Sequence, residues 1–465
     1  MKKVTKFLSL VLVLAMVVSC LAACGSKNES KNDSKEPAAV KTEFGEQGKV
    51  LNIYCWNEEF KQRLEELYPG YSKVDDATGK IGDVTVKWNI TPNENNAYQQ
   101  ALDNALKQQG NANADDKVDL FLIEADYALK YVEPNVSLAL AEVGIDVAKD
   151  FKNQYTYTQD IVKDSKGNIK GTSWQGCPAA LIYRTDIAEE VLGTSDVDKV
   201  QEYVKDWASF EATAAKMKEK GYTMVAGFDD TYRVFSNNAK SAWVKDGKVQ
   251  IDDRIWEWVD QAKKFTDNGY NVKDSLWGDN GWKSGFDMSG KVFCYFGPAW
   301  FIDFCMNCSE PGSVGEAGKW HITVGPEGYF WGGTWICAAA GTDNEVLIKD
   351  IMMKMTADTD TLVKLAQTFS DFVNDQPAME KLAADNTVGN KYLGGQNIYG
   401  ILAEGAKKIH IDYASAYDQG CNEKFQAAMK EYFLGNCTKE EALENFKKEI
   451  KTLYPELNTD DLKVK

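Results

Sequence analysis

Carboxylate and amide side chains follow three predicted strands of this chain, at the points where those strands end. Apolar patterning predicts strands over 49–56, 84–90 and 118–123, with helices between them. Strands that alternate with helices form parallel sheets, and the carboxyl ends of such strands border a crevice in which ligands bind. The residues directly after these strands are Trp56, Asn57, Glu58, Asn93, Asn95, Glu124 and Asp126. Their polar members can accept hydrogen bonds from vicinal hydroxyl groups, with helix capping as the alternative role.

Tryptophans in glycine-containing segments form the second set of candidates. In segment 290–304 a buried strand turns at Gly297, and a helix opens at Pro298, which suits the first helical position because it needs no backbone donor. This turn places Trp300 at the end of a strand. The six tryptophans of the set are Trp174, Trp277, Trp282, Trp300, Trp331 and Trp335. An indole face suits the apolar C–H face of a sugar ring, whereas the alternative for each tryptophan is packing in the core.

The segment around Asp229 offers one more candidate. A predicted strand over 223–228 ends at the adjacent Asp229 and Asp230. Asp229 is therefore a candidate to contact a ligand at the end of the strand. The alternative is that the two carboxylates cap the next helix.

The first 24 residues have the features of a lipoprotein signal peptide. Three lysines precede an apolar run over 7–18 that is too short to span a bilayer as a stable helix. A Leu-Ala-Ala-Cys sequence then ends at Cys24. It resembles a bacterial lipobox, which implies removal of residues 1–23 and lipid attachment to the Cys24 sulfur, and a plain secretory signal is the alternative. Residues 24–48 are rich in Ser, Asn, Lys and Glu and predict a disordered tether.

The composition argues against several classes of function. The chain has 70 Asp and Glu residues against 53 Lys and Arg, and its net charge of −17 repels nucleic acid and anionic membranes. The chain has only two histidines and a lone C-x2-C at Cys305 and Cys308, without a dinucleotide or phosphate-loop motif, so the sequence predicts neither a metal site nor a cofactor. Eight of the ten cysteines follow Cys24, and they either pair outside the cell or remain buried thiols.

Four segments carry a resemblance to a known family. They are the Gly-Pro-Ala-Trp turn at Trp300, the strand after Gly332 and Gly333, the segment 170–187, and the tail 418–446 with its Thr-Lys-Glu-Glu-Ala-Leu motif. Together they resemble the large carbohydrate-binding family of extracellular solute-binding proteins of ABC importers, which includes the maltose-binding protein. In that family a similar turn contributes to the sugar site, and a Gly-Gly strand crosses from one lobe to the other.

The resemblance implies an α/β fold of two lobes, the periplasmic-binding-protein-like fold of type II. Each lobe would be a mostly parallel sheet flanked by helices, and three crossings would form the hinge. The implied N-terminal lobe comprises residues 49–173 and 338–394, and the C-terminal lobe comprises 174–337 and 395–460. A family loop that can face the ligand corresponds to the loop that holds Asn374, which makes this residue a further candidate.

The function implied by the resemblance is capture of a carbohydrate between the lobes. A monomeric, lipid-anchored protein at the outer face of the cell membrane would deliver it, chemically unchanged, to the permease subunits of an importer. One alternative is a binding protein for a polyamine or a peptide, and salt would weaken polyamine binding. The other is a secreted glycoside hydrolase, but Glu124 and Asp126 follow a single strand, whereas hydrolase acids usually come from different strands.

Overall fold

The computed structural model describes residues 37–279, 281–411 and 413–465. The predicted signal peptide, the lipidation of Cys24 and the tether before residue 37 lie outside these residues. Within the described ranges, no helix is both long enough and apolar enough to cross a membrane.

Residues 38–48, the second half of the predicted disordered tether, lie along the body of the protein. The backbone N–H of Lys41 donates to the Ala141 carbonyl at 2.8 Å, and that of Gly48 donates to the Asp343 carbonyl at 2.8 Å. The tether prediction is therefore wrong for this segment, because its backbone finds partners on the folded body.

Strands and helices alternate along the described chain. The strands are β1 (Val50–Cys55), β2 (Tyr71–Lys73), β3 (Thr78–Ile81), β4 (Val84–Ile90), β5 (Leu120–Glu124), β6 (Pro178–Arg184), β7 (Val244–Lys245), β8 (Lys248–Val249), β9 (Cys294–Pro298), β10 (Trp320–Thr323), β11 (Tyr329–Phe330) and β12 (Thr334–Ala338). The helices are α1 (Glu59–Leu67), α2 (Ala97–Gln108), α3 (Ala128–Val132), α4 (Val147–Asp150), α5 (Thr156–Asp160), α6 (Thr185–Leu192), α7 (Val197–Val204), α8 (Trp207–Glu219), α9 (Tyr232–Asn237), α10 (Asp253–Asn268), α11 (Ala299–Cys305), α12 (Glu345–Thr356), α13 (Thr359–Phe369), α14 (Gln376–Ala383), α15 (Tyr399–Ala406), α16 (Asp418–Phe433) and α17 (Lys439–Leu453).

The first sheet has six strands in the order β12, β5, β1, β4, β3, β2. β1 pairs in parallel with both β4 and β5, so Ile53 lies opposite Trp88 on one side and Leu120 on the other. The continuous apolar sequence of β5 is typical of a strand that is covered on both faces. The three strands predicted in this region correspond to β1, β4 and β5. The outer pairings are antiparallel, so the sheet is mixed rather than mostly parallel.

The second sheet is built around β6, whose seven residues are all buried. β6 pairs antiparallel with β9, β10 and β11, so the prediction of a mostly parallel sheet is wrong here. The strand predicted over 223–228 is reduced to two isolated bridges, between Thr223 and Val292 and between Gly227 and Asp274. The segment leaves strand geometry because the backbone N–H groups of Met224 and Val225 both donate to the carbonyl of Tyr270.

Helices α10, α16 and α17 enclose a separate apolar core beside the second sheet. The Phe425 ring packs edge-on against Phe446 with the centroids 5.2 Å apart. The last helix begins with the predicted capping box, since Thr438 accepts from the Glu441 N–H and the Glu441 carboxylate accepts from the Thr438 N–H. This cap satisfies two backbone donors that the first helical turn leaves without partners.

Three segments that connect the two sheets lie side by side. The N–H of Thr172 donates to the Ile336 carbonyl at 3.1 Å, and the N–H of Asn374 donates to the Trp174 carbonyl at 2.8 Å. Two sheets with their own helices and three adjacent connections form the predicted two-lobed α/β architecture. The predicted lobe boundary after residue 337 falls inside β12, which belongs to the first sheet, and the remaining division into lobes stays a prediction.

Candidate ligand-binding site

A cavity of about 670 Å³ lies where the ends of the first sheet meet the second lobe. This volume is within the range of small-molecule binding sites, roughly 300–1,000 Å³. The residues that line it are Trp56, Asn57, Glu58, Glu59, Gln62, Glu124, Asp126, Gln175, Arg233, Leu276, Trp277, Trp300, Phe304, Cys305, Trp331, Gly332, Gly333 and Thr334. Eight of them are predicted site residues: Trp56, Asn57, Glu58, Glu124, Asp126, Trp277, Trp300 and Trp331.

The predicted residues of the first lobe meet because β1 and β5 are neighbours. Both strands run in the same direction, so Trp56 after β1 and Glu124 at the end of β5 reach the same edge of the sheet. The Trp56 ring packs on Tyr98 at 5.5 Å between centroids, which fixes one side of the indole and leaves it in the cavity lining. The sequence rule for strand ends therefore places this part of the cavity correctly.

Three of the predicted tryptophans belong to the core and not to the cavity. Trp174, Trp282 and Trp335 are at most 1% exposed. Trp174 stacks on Phe60 with the centroids 5.2 Å apart, and the Trp282 indole N–H donates to Asp230 Oδ1 at 2.6 Å. Their expected place in the cavity is corrected here, because the glycine-containing segments fold inward at these positions.

Three predicted polar residues also lie away from the cavity. Asn374 is fully buried, and its Oδ1 accepts from the Tyr155 N–H at 3.0 Å. Asp229 Oδ1 accepts from the Leu276 N–H at 2.8 Å, so this carboxylate orders a loop. Asn95 is exposed in a short 3-10 turn. Asn374 and Asp229 therefore hold neighbouring backbone in place, and the loop that holds Asn374 lies against the connecting segment at Trp174.

Trp277, Trp300 and Trp331 form one side of the cavity, which we call the tryptophan wall. Trp331 lies 5.3 Å from Trp300 and 5.7 Å from Trp277 between ring centroids. The Trp300 indole N–H donates to the Trp331 carbonyl at 3.3 Å. Trp277 is 45% exposed and has a φ of 70°, a conformation that costs a non-glycine residue about 1–3 kcal/mol. Such strain, together with exposed aromatic area, is typical of a binding surface.

Phe304 extends the aromatic surface at the mouth of the cavity. Phe304 is 65% exposed, more than any other large apolar residue in the described part of the chain. It lies on α11, which begins at Ala299 directly after β9 and also carries Trp300. The paired glycines at the floor, Gly332 and Gly333, have φ of 67° and 104°, which lets the chain turn into β12 beneath the wall.

Glu124, Asp126 and Arg233 form an acidic cluster with a single cation. Both terminal nitrogens of Arg233 donate to the two oxygens of Asp126. Glu124 Oε2 accepts from the Asp126 N–H at 2.9 Å. Burial, reinforced by the Asp126 charge, raises the pKa of Glu124 to about 8. The ion pair joins the first lobe to α9 of the second, and the same two residues border a smaller cavity of about 110 Å³.

Glu59, Asp371 and Arg63 form a second cluster of two carboxyl groups and one guanidinium. Arg63 Nη2 lies 2.7 Å from Asp371 Oδ2 and 3.1 Å from Glu59 Oε1. Gln175 donates to Glu59 Oε1 at 2.6 Å. Burial raises the pKa of Glu59 to about 7 against the opposing effect of Arg63, and burial also raises the pKa of Asp371.

Several lining residues escaped the sequence analysis, above all Arg233, Glu59 and Gln175. Glu59 and Arg63 are four residues apart on α1, and this spacing of opposite charges was the available signal. Arg233 lies on a six-residue helix in a region without a clear periodic pattern. Its role depends on a partner 107 positions earlier, which no local pattern reveals.

The sequence pattern of the family described as bacterial extracellular solute-binding protein matches residues 74–391, more than half of the chain. The chain belongs to this family. It is therefore a binding protein and not an enzyme. The family resemblance inferred from the sequence is confirmed. No curated protein shows significant similarity to the chain.

Solved structures of solute-binding proteins share the fold of this solute-binding protein. An extracellular solute-binding protein of family 1 has a TM-score of 0.67 at 18% identity, covering 86% of this chain and 99% of its own. The GacH receptor of Streptomyces glaucescens, solved without ligand and with acarbose, has a TM-score of 0.62 at 16% identity, covering 88% and 99%. The ABC transporter associated binding protein of B. animalis subsp. lactis, in complex with β-1,6-galactobiose, has a TM-score of 0.61 at 18% identity, covering 87% and 97%.

Proposed function

We propose that this solute-binding protein captures a sugar or oligosaccharide in the 670 Å³ cavity and delivers it to the permease of an ABC importer. The observation that carries the proposal is the tryptophan wall, which shares one cavity with Asn57, Glu58, Glu124 and Asp126. Indole faces suit the apolar C–H faces of sugar rings, while carboxyl and amide groups bind the hydroxyls around the ring edge. The structural relatives whose reported complexes contain acarbose or β-1,6-galactobiose support the same ligand class.

The proposal includes hinge closure around the sugar. The cavity is lined by residues of both lobes and of the connecting segments, so a ligand that contacts all three stabilises one arrangement of the lobes. In this proposal the chain acts as a monomer, anchored at the outer face of the cell membrane through a lipid on Cys24. The closed, sugar-bound form then docks on the permease subunits.

Thermal unfolding against a panel of maltose, β-1,6-galactobiose and acarbose tests the proposal. A sugar at 100 times its dissociation constant adds about 2.7 kcal/mol to the unfolding free energy. For a body of this size the midpoint rises by about 3 °C, since unfolding entropy scales with chain length. No shift with these or other oligosaccharides would argue against sugar capture.

A polyamine is the second candidate ligand, because four carboxyl groups line the cavity with only one guanidinium. These groups are Glu58, Glu59, Glu124 and Asp126, with Arg233 as the cation. Putrescine in the same assay separates the two classes. Its binding would weaken as salt rises, whereas that of a neutral sugar would not.

A further inference from the structure

Two clusters of charged residues border the cavity, and each contains two carboxyl groups and one guanidinium group. In the first, Arg233 pairs with Asp126 beside Glu124, and in the second, Arg63 contacts both Glu59 and Asp371. Each cluster therefore has one carboxyl group more than it has cations. Glu124 and Asp126 of the first cluster both line the cavity, whereas only Glu59 of the second cluster does so, since Asp371 is almost fully buried behind the lining.

We propose that Glu59 and Glu124 meet the sugar as neutral carboxylic acids, each donating a hydrogen bond to a sugar hydroxyl group. The inference rests on the proposed sugar-binding function and names the chemistry by which two residues of that site select their ligand.

The geometry of the first cluster leaves Glu124 without a cation. Arg233 gives both terminal nitrogens to Asp126, the fork geometry that guanidinium and carboxylate prefer. Glu124 receives only the Asp126 N–H, on Oε2. Among the described residues, no hydrogen-bond donor reaches its Oε1 atom. A largely buried carboxyl group without a counterion takes up a proton instead of keeping its charge.

The charged groups around Glu124 either favour its protonated form or are already bound to another residue. Asp126 and Glu423 of α16 raise its pKa, and Arg233 opposes them while bound to Asp126. Tyr127 is neutral, because burial raises its pKa far above its ordinary value. A proton on Glu124 removes the repulsion between adjacent carboxylates.

The second cluster reaches the same state through competition for Arg63. Arg63 donates twice to Asp371, through Nε at 2.9 Å and Nη2 at 2.7 Å, whereas the Glu59 carboxyl group has only the longer 3.1 Å contact with Nη2. Nη1 donates to the Glu59 backbone carbonyl at 3.2 Å. Asp371 thus holds the guanidinium more closely. Gln175 and Thr334 hydrogen-bond the Glu59 carboxyl group, which opposes its protonation without adding a charge. The Cys177 thiol is neutral, because burial raises its pKa.

Two neutral acids change what the cavity can bind. Ionised carboxylates only accept hydrogen bonds, whereas a protonated carboxyl group also donates one. A sugar hydroxyl both donates and accepts hydrogen bonds. A cavity that offers donors as well as acceptors therefore satisfies more of the sugar's hydrogen-bonding groups. A diamine gains most from ionised carboxylates, so it would bind more tightly once the two protons leave. The pH dependence of binding therefore has opposite signs for the two ligand classes.

The experiment has two readouts on the full chain. Infrared difference spectra between pH 6 and pH 9 detect the carboxylic acid C=O band, comparing wild type with the Glu59→Gln/Glu124→Gln variant. Calorimetry from pH 6 to pH 9 gives affinities for maltose, β-1,6-galactobiose and putrescine. Glutamine keeps a donor and an acceptor but cannot ionise, and Glu404→Gln, at an exposed position on α15, is the matched control.

We expect an acid band in wild type that decreases as pH rises through about 7 to 8, and a smaller band in the double variant, where Asp229 still contributes because burial raises its pKa to about 7. Sugar affinity falls about tenfold per pH unit above that range for each group that must hold its proton. The double variant binds sugar with little pH dependence. Sugar binding that stays constant from pH 6 to pH 9 in wild type, or an unchanged acid band in the double variant, overturns the inference alone. Binding of putrescine without any sugar overturns both the inference and the proposed function.

Discussion

Arg233 of the second lobe binds Asp126 of the first lobe through both ends of its guanidinium. The two side chains are about one-fifth exposed, and the Arg233 guanidinium also lies over the Trp331 ring at 5.8 Å. One residue thus connects the carboxylate side of the cavity to the tryptophan wall. The pair holds the two sides of the cavity together.

We expect Arg233→Ala to destabilise the protein, because Asp126 is left beside Glu124 without a cation. Partly buried pairs of this kind lose about 1–3 kcal/mol when one partner is removed. The thermal midpoint at pH 8 should fall by about 1–3 °C, and less at pH 5, where Glu124 is neutral and repulsion is weaker. Lys73→Ala removes an exposed pair and should change little. Equal midpoints for Arg233→Ala and wild type at pH 8 would show that the pair contributes nothing.

Trp300 and Trp174 should respond differently to substitution by alanine. Trp300→Ala removes part of the tryptophan wall, so sugar affinity should fall about 10- to 100-fold, which corresponds to roughly 55–110 Å² of lost aromatic contact at about 25 cal/mol per Å². Trp174→Ala opens a hole in the core and should lower the unfolding free energy by about 3–5 kcal/mol. Thermal unfolding and calorimetry on both variants provide the comparison. If Trp300→Ala keeps affinity within twofold, the wall does not contact the ligand.

The stability of the sugar-free protein should depend on Glu124. Its pKa is raised from about 4.5 to about 8, so between these values the folded state holds a proton that the unfolded state has lost. The resulting stabilisation is complete below about pH 4.5 and disappears as pH rises through about 8. Relative to wild type, Glu124→Gln should therefore gain about 1–3 °C in midpoint between pH 6 and pH 9. A midpoint difference that stays constant over this range would contradict the raised pKa.

The eight cysteines of the described chain are free thiols, which resolves the pairing that the sequence left open. Six are buried, and only Cys305 and Cys437 are partly exposed. A thiol reagent should label these two first under native conditions, and bound sugar should protect Cys305, because that residue lines the cavity. Mass spectrometry of labelled peptides measures both effects. Disulfide-linked peptides from the untreated protein would contradict the thiol assignment.

The sequence predicted the parts of the site that depend on local pattern. Strand β4 occupies the predicted residues 84–90, and the ends of β1 and β5 place Trp56 and Glu124 together, because period and strand order fix where a strand's end lies. The start of the helix that carries Trp300 was predicted within one residue, but the predicted turn at Gly297 is wrong, because β9 continues through Gly297 and Pro298 in its pairing with β6 and the helix begins at Ala299.

The parts that failed depend on packing between distant segments. Trp174 and Trp300 both lie in glycine-containing segments, yet Phe60 stacks on Trp174, whereas Trp300 borders Trp331, Phe301 and the cavity. The antiparallel pairing of β6 with β9 likewise depends on segments more than 100 residues apart. Arg233 was missed because its role depends on the ion pair with Asp126, which lies in the other lobe.

The most direct test of sugar capture is calorimetric titration of maltose, β-1,6-galactobiose and acarbose into the protein at low and at high salt. The account predicts that at least one neutral sugar binds with one site per chain and with an affinity that salt leaves unchanged, since its contacts are aromatic faces and hydrogen bonds. Absence of binding by any sugar, together with salt-sensitive binding of putrescine, would contradict it and assign the acidic cavity to a cation.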